Sequence, residues 1–278
     1  MFERFRKFLA SSPNAEEQVA QKSDRPKGVN EILEEQLETS LHEFNRSQKG
    51  LFISALGGGM EIGFSVLFMA TIFTLFGPSL SPESLKLVLA MCYPIGFIFV
   101  IIGRSELFTE HTALALLPVL NRSVAPRDLL ILWGLIYGGN IVGGTFFSLI
   151  LVTIGPKVGF ANMDAFYHLS EELVHHEWST ILLSGLLAGW MMGLLGWLVT
   201  SAQETISRIL MIFLVTTIIG IAGLHHCIVG SIEVLAGVFT SDEIGFLDYA
   251  KFQSWATLGN ILGGAVFVAI LKFSHVRV

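Results

Sequence analysis

The sequence predicts an all-α membrane protein with six transmembrane helices, built as two inverted three-helix repeats in which the second and fifth helices are broken. Three observations lead to this fold class. Hydrophobic residues make up 52% of the 278 residues and charged residues only 14%, and the mean hydropathy is +0.65. Six long apolar segments follow a polar N-terminal stretch. A glycine-rich motif at Gly139 recurs at Gly259.

The composition also excludes several classes of function. A soluble domain of this length carries about 25% charged residues, which it needs to cover its surface. The net charge is −6, and basic residues cluster only in the N-terminal tail, so no nucleic-acid partner is expected. Cys92 and Cys227 lie far apart in apolar segments and form no metal-ligand pattern. We therefore expect no metal, no cofactor and no enzymatic activity.

The first 49 residues are predicted to be a cytosolic tail, and residues 50–278 a transmembrane domain. Apolar residues recur at helical spacing between Glu31 and Ser47, which predicts an amphipathic helix packed on the membrane face of the protein. Each intact apolar segment that follows has the roughly 20 residues needed to cross the hydrocarbon core. The predicted segments are Leu51–Phe76, Leu85–Leu120, Leu129–Ile154, Trp178–Thr200, Ser207–Phe239 and Tyr249–Phe273.

Basic residues predict the orientation of these segments. With the N-terminus placed in the cytosol, thirteen of the 17 lysines and arginines fall on the cytosolic side and three, Lys86, Lys157 and Lys251, fall outside. Arg104 remains within the second segment. The positive-inside rule therefore places both termini in the cytosol.

An internal repeat relates the two halves of the transmembrane domain. Gly139–Gly144 reads GNIVGG and Gly259–Gly264 reads GNILGG, and the same offset pairs Gly103 with Gly223 and Glu106 with His226. A unit of three spans is odd, so its second copy must be inverted in the membrane. The repeats cover about residues 50–154 and 178–273. The alternative is that glycine-rich transmembrane helices resemble one another because of packing needs alone.

The second and fifth segments are predicted to be broken helices. Both are too long to cross once as a regular helix at about 1.5 Å per residue, and both carry polar residues near the middle. Non-helical backbone at membrane depth is tolerated only when it is buried in protein or lines a wet cavity. Paired discontinuous helices indicate a solute path at the midplane, which places Thr109 and His226 near that path.

Three short motifs carry a resemblance to a known family. They are Glu106-Leu107-Phe108-Thr109 at the first break, Gly223–Ser231 with His226 at the second, and the two helices with Asn140 and Asn260. In this order and spacing, residues 50–273 resemble the formate/nitrite transporters, in a less-studied branch with an N-terminal cytosolic extension. The resemblance implies an aquaporin-like fold, a homopentamer with one pore per subunit, and a bacterial inner (plasma) membrane. It also implies a small weak-acid anion such as formate, nitrite or hydrosulfide as substrate.

His226 is the residue expected to act in the pore. An ionisable group at the bilayer centre is costly, so its presence is a functional hypothesis by default, and histidine exchanges protons near neutral pH. A bare anion is expensive in an apolar constriction, whereas its neutral acid is not. His226 would either supply a proton or attract the anion, with the Thr109 hydroxyl as its partner. The alternatives are a structural histidine bonded to a carbonyl and a threonine that caps a half-helix.

The resemblance assigns further roles around this pair. Tyr93 and Ile219 fall where the pore narrows on one side, Phe97 where it narrows on the other, and Leu107 and Phe108 in a loop that the family uses as a gate. For each of these bulky residues alone, core packing is the alternative.

Other polar residues are expected to support the breaks. Glu106 and Arg104 are expected to hold the first loop in shape, by pairing with each other or with groups at the break. The alternative for Arg104 is a place in the cytosolic vestibule, where it would attract the anion. Asn140, Asn260 and His225 are further supporting residues, and His225 stands where better-known family members carry an acidic residue.

Three other functions compete with anion transport. An aquaporin-type channel for a small neutral solute shares the fold, but its Asn-Pro-Ala motifs are absent from the sequence. A membrane metalloenzyme would use His225, His226 and Glu233, but no histidine pair stands at i,i+4 on one helix face. A scaffold or sensor would act through the tail, which lacks a recognisable binding motif.

Overall fold

The computed structural model describes residues 25–277, and all regular secondary structure in that part of the chain is helical. The helices are α1 (Val29–Phe44), α2 (Gln48–Glu61), α3 (Gly63–Phe76), α4 (Pro82–Cys92), α5 (Pro94–Gly103), α6 (Phe108–Leu114), α7 (Leu117–Leu120), α8 (Pro126–Val158), α9 (Met163–Val174), α10 (Trp178–Ser201), α11 (Thr205–Ala222), α12 (Val229–Thr240), α13 (Phe246–Gly264) and α14 (Leu271–Arg277). A 3₁₀ turn at Gly77–Ser79 and a π-helical stretch at Ala265–Ile270 complete them.

Six apolar stretches of helix are long enough to cross a membrane, as the sequence predicts. They are Gln48–Ser79, Pro82–Gly103, Pro126–Val158, Trp178–Ser201, Thr205–Ala222 and Phe246–Val276. The second and fifth stretches end earlier than the predicted segments, at Gly103 and Ala222. Each is followed by a shorter apolar helical stretch, Phe108–Leu120 and Val229–Thr240 respectively.

Side-chain caps and prolines set where several helices begin. Ser47 Oγ accepts a hydrogen bond from Gly50 N at 3.1 Å at the start of α2, and Asn162 Oδ1 accepts one from Ala165 N at 2.8 Å at the start of α9. Pro82 and Pro126 occupy the first turns of α4 and α8. A proline costs nothing there, because the N–H that it lacks would have no intrahelical partner.

Two helix pairs pack most closely, α2 with α8 and α10 with α13. Glycines make this approach possible, because a Cβ at Gly59 would collide with the backbone of Asn140. A Cβ at Gly189 would collide in the same way with the backbone of Asn260. Each close contact thus fixes the position of one asparagine against the facing helix.

The amphipathic helix of the tail is shorter than predicted and packs on the protein. It begins at Val29 and ends at Phe44, because Ser47 caps the next helix instead of continuing this one. Its apolar residues Ile32, Leu33 and Leu37 are buried in a cluster with residues of α6, α7, α10 and the last helical stretch. Lys27 Nζ donates a hydrogen bond to the Thr200 carbonyl oxygen at 2.7 Å, which ties the start of α1 to the end of α10. Residues 1–24 of the predicted tail lie outside the described residues.

Large apolar side chains also cover the outer surface of the spans. Leu130, Leu183 and Ile206 are 65%, 61% and 70% exposed. An apolar exterior of this extent suits contact with lipid tails or with other subunits, and it is not expected of a soluble monomer.

Candidate functional site

Two short loops, each between two apolar helices, contain the polar residues singled out in the sequence. The first joins α5 to α6 and the second joins α11 to α12. The backbone turns out of the preceding helix at Arg104 and Gly223, which have φ angles of 63° and 62°. A left-handed residue is a common helix end, free of strain for glycine and costing about 1 kcal/mol for other residues. Sequence similarity pairs Gly103 with Gly223, whereas the left-handed turns pair Arg104 with Gly223. The two pairings differ by one residue.

Asn140 on α8 holds the first loop. Its Oδ1 accepts a hydrogen bond from Phe108 N at 2.8 Å. Its Nδ2 donates to the carbonyl oxygens of Glu106 at 2.8 Å and Ala55 at 2.7 Å. Asn140 is fully buried, so these three bonds satisfy backbone groups that have no access to water.

Asn260 on α13 holds the second loop with the same three bonds. Its Oδ1 accepts from Cys227 N at 2.8 Å. Its Nδ2 donates to the carbonyl oxygens of His225 at 2.9 Å and Gly185 at 2.8 Å. The matching positions are therefore Glu106 with His225 and Phe108 with Cys227. The sequence-based pairing of Glu106 with His226 is one residue out, in the same sense as the pairing of the glycines.

His226 and Thr109 are in contact at the point where the two loops meet. His226 Nε2 lies 2.8 Å from Thr109 Oγ1, and Val229 N donates to His226 Nδ1 at 3.3 Å. Because Nδ1 accepts, the neutral ring carries its proton on Nε2 and donates it to the threonine oxygen. The Thr109 hydroxyl proton is then left for another acceptor. Within the part of the chain that the structure describes, the hydrogen-bond partners of the imidazole are a hydroxyl and an amide. Its role in the pore stays a prediction.

Buried apolar side chains surround this pair. The Phe97 ring stands edge-on to the His226 ring, with centroids 5.1 Å apart, and the Tyr93 ring lies 5.2 Å from Phe97. Leu107 and Ile219 are fully buried. The Phe108 ring packs instead against Tyr137 at 5.0 Å and against Trp133 at 6.3 Å. For Phe108 the structure therefore favours helix packing.

Two cavities approach the pair from opposite directions. The first has a volume of about 510 Å³ and is lined by α1 and by charged groups that include Arg104, Glu106 and Lys272. The second has a volume of about 490 Å³, and Tyr93, Ile219 and His226 are on its wall. Phe97, Leu107, Phe108 and Thr109 line neither cavity.

A buried ion cluster on the first cavity was not anticipated from the sequence. Glu106 pairs through Oε1 with Arg46 Nη1 and through Oε2 with His111 Nε2, the latter at 2.5 Å. Arg46 also pairs with Glu43 at 2.5 Å. Of the pairings expected for Glu106, the structure has the one with a group at the break, His111, and adds a contact to Arg46 of the tail. Arg104 is exposed on the cavity wall and interacts electrostatically with Glu110.

Arg46 lies outside the membrane-spanning helices, and its neighbours determine its ionisation. Partial burial lowers the pKa of its guanidinium, but the hydrogen bonds and charges of Glu43 and Glu106 outweigh this effect and raise the pKa overall. Arg46 is therefore a permanent positive charge that joins the end of α1 to the first loop.

Residues 30–274 match the family model described as formate/nitrite transporter. The chain belongs to the formate/nitrite transporter family. The family resemblance that the sequence motifs predict is therefore confirmed, and the protein is a membrane transporter of this family.

Members of the formate/nitrite transporter family show similarity along most of the chain. The chain is 30% identical over 239 residues to the inner membrane protein YfdC of Escherichia coli K12, covering 84% of this chain and 74% of that protein. It is 24% identical over 256 residues to the formate channel FocA of Haemophilus influenzae, covering 84% and 89%. A solved pentameric formate channel with formate bound superposes with a TM-score of 0.71 at 22% identity, covering 83% of this chain and 98% of that one.

His225 departs from the pattern of better-known members of the formate/nitrite transporter family, and the structure gives it a definite place. Its Nε2 lies 3.1 Å from the Leu173 carbonyl oxygen, to which it donates. Ser184 Oγ lies 2.8 Å from Nδ1 and accepts from the His225 backbone N at 3.1 Å. His225 thus joins the second loop to α9 and α10, and its supporting role stays a prediction.

The ion cluster leads to a stability prediction for this member of the formate/nitrite transporter family. Glu106→Ala is expected to lower the free energy of unfolding by about 3 kcal/mol, because it leaves the buried His111 without its carboxylate partner. Arg46→Ala is expected to cost about 1 kcal/mol, because its side chain remains 27% exposed to solvent. Denaturant unfolding of the purified protein in detergent measures both values.

The Arg25–Glu31 pair provides the matched control. Its side chains are 59% and 41% exposed, so Glu31→Ala is expected to change the free energy of unfolding by less than about 0.5 kcal/mol. Equal losses for Glu106→Ala and Glu31→Ala would show that the buried cluster contributes no more than a surface pair.

Proposed function

We propose that the protein is a channel or transporter for small monovalent weak-acid anions such as formate or nitrite, and that the anion passes His226. The observation that carries this proposal is the buried contact of Thr109 with His226, which lies on the wall of the second cavity, in a chain of the formate/nitrite transporter family. Relatives described as a formate channel and a nitrite transporter support this substrate class.

The chemistry of the pair suits a weak acid. A bare anion in an apolar constriction costs several kcal/mol, whereas its protonated form costs much less. The imidazole is held in one tautomer by Val229 N, and the Thr109 hydroxyl keeps a proton to offer. An anion arriving from the second cavity would meet these donors, with two outcomes: it gains a proton, or it is attracted until solvent protonates it.

The same proposal includes the architecture around the path. The matched asparagine contacts and left-handed turns support two inverted repeats with broken second and fifth helices. Residues 1–49 would form a cytosolic tail and residues 50–278 the channel domain. The pentameric formate channel with a similar fold supports a homopentamer. We place the chain in a bacterial inner (plasma) membrane, with both termini in the cytosol.

A solute panel tests the proposed substrate class. Proteoliposomes containing the purified protein are exposed to inward gradients of formate, nitrite, hydrosulfide and glycerol, and swelling is followed by light scattering. The proposal predicts faster swelling with at least one of the weak-acid salts than in protein-free vesicles, and no acceleration with glycerol. Acceleration by glycerol alone would overturn it in favour of a neutral-solute channel.

A further inference from the structure

Glu233 is a buried carboxyl on the wall of the second cavity. It lies on α12, one helical turn beyond Gly230, and these two residues line the cavity that also reaches His226. Residues three positions apart share one face of a helix. Only 7% of the Glu233 surface is exposed.

This carboxyl lacks a compensating partner. Within residues 25–277, no hydrogen bond and no ion pair joins it to another group, and its electrostatic neighbours are Glu172 and Tyr93. The other buried glutamate, Glu106, has both Arg46 and His111. A buried carboxylate without a partner is strongly disfavoured relative to the neutral acid. Glu233 therefore has the surroundings of a group that gains and loses a proton, and not those of a structural ion pair.

Other titratable groups face the same cavity and set the charge around Glu233. They are Lys86 and Glu83 on α4, Tyr93 at the end of α4, His168 and Glu172 on α9, and His226 in the second loop. The His168 imidazole lies 3.7 Å from the Glu172 carboxylate, so these two groups can pair with each other. Glu233 stands deeper than this surface pair, because Glu172 is exposed.

We propose that Glu233 determines which charge state of the protein admits an anion to the second cavity. As the neutral acid it donates a hydrogen bond to the entering anion. As the carboxylate it repels that anion before the anion reaches His226. This inference rests on the proposed function, since it names a selectivity residue on the same path.

The test compares formate uptake by wild type, Glu233→Gln and Glu233→Leu in proteoliposomes between about pH 5 and about pH 9. Glutamine mimics the neutral acid and cannot ionise, so uptake by Glu233→Gln should match wild type at acid pH. At alkaline pH, uptake by Glu233→Gln should exceed uptake by wild type by about tenfold. The reason is that the neutral fraction of an acid falls about tenfold for each pH unit above its pKa. Leucine can neither ionise nor donate a hydrogen bond, so uptake by Glu233→Leu should lie about tenfold below that by Glu233→Gln at every pH.

Glu172→Gln is the matched control, because it removes a second acidic charge from the same cavity at an exposed position. We expect its pH profile to follow that of wild type. If uptake by Glu233→Gln depended on pH as wild type does, the inference would be overturned. It would also be overturned if Glu172→Gln changed the pH profile of uptake as much as Glu233→Gln does, because the summed charge of the cavity would then matter. Absence of uptake by wild type itself would instead overturn the proposed function. Gel filtration of each variant checks that the assembly is retained.

Discussion

Asn260→Ala is expected to lower the free energy of unfolding by about 3 kcal/mol or more. The substitution removes three buried hydrogen bonds, each contributing about 1 kcal/mol net, and leaves Cys227 N and the His225 carbonyl without partners. Asn140→Ala removes the matching three bonds around the first loop and should cost a similar amount. Denaturant unfolding in detergent measures both, and formate uptake should fall in parallel if the proposed path runs between the two loops.

Asn45→Ala is the control for these two substitutions. Asn45 Nδ2 also donates to a carbonyl oxygen, that of Leu41 at 2.9 Å, but at an exposed site. Water replaces such a bond, so the free energy of unfolding should change by less than about 0.5 kcal/mol. If Asn260→Ala were as stable as Asn45→Ala, the asparagine would not hold the second loop.

His226→Ala is expected to reduce formate uptake by about ten- to a hundredfold. The estimate corresponds to losing a hydrogen bond to a charged group, worth about 1.5–3 kcal/mol. Thr109→Val keeps the side-chain shape but removes the hydroxyl that lies 2.8 Å from His226, and should reduce uptake by about tenfold. Uptake into proteoliposomes at one fixed pH compares the two variants with wild type.

His42→Ala is the control for the histidine substitution. His42 lines the first cavity, and its side chain is 75% exposed, so its loss should leave uptake unchanged. An uptake rate for His226→Ala equal to that of His42→Ala would show that the buried imidazole takes no part in permeation.

The fold was predictable because the membrane restricts the choices. Six apolar stretches with few charged residues determine the span number, since unpaired backbone is excluded from the lipid core. The Thr109–His226 contact was also predictable, because the polar residues that interrupt two apolar segments of the sequence include both residues. The predicted ends of the second and fifth spans were less accurate, because the apolar pattern of the sequence resumes after each short loop.

Contacts between distant parts of the chain were not predictable. Arg46 and Glu106 are 60 residues apart, and no local pattern indicates that the end of α1 reaches the first loop. The one-residue shift between the loops was missed because the left-handed position is occupied by Arg104 in one half and by Gly223 in the other. Glycine was a misleading marker there, since Gly103 lies beside the turn and not at it. Asn140 and Asn260 were recognisable as parts of a repeated motif, but only the structure identifies their hydrogen-bond partners.

The decisive measurement is formate uptake by the wild-type protein in proteoliposomes at two pH values. One is mildly acidic and the other mildly alkaline, on either side of the pKa of roughly 6.5 of an ordinary histidine. Transport of a weak-acid anion past His226 predicts uptake above that of protein-free vesicles, faster at the acidic pH. The reason is that the anion must be neutralised or attracted at the constriction. Transport of this kind would be contradicted if uptake were no faster than in protein-free vesicles at both pH values, for nitrite and hydrosulfide as well as formate.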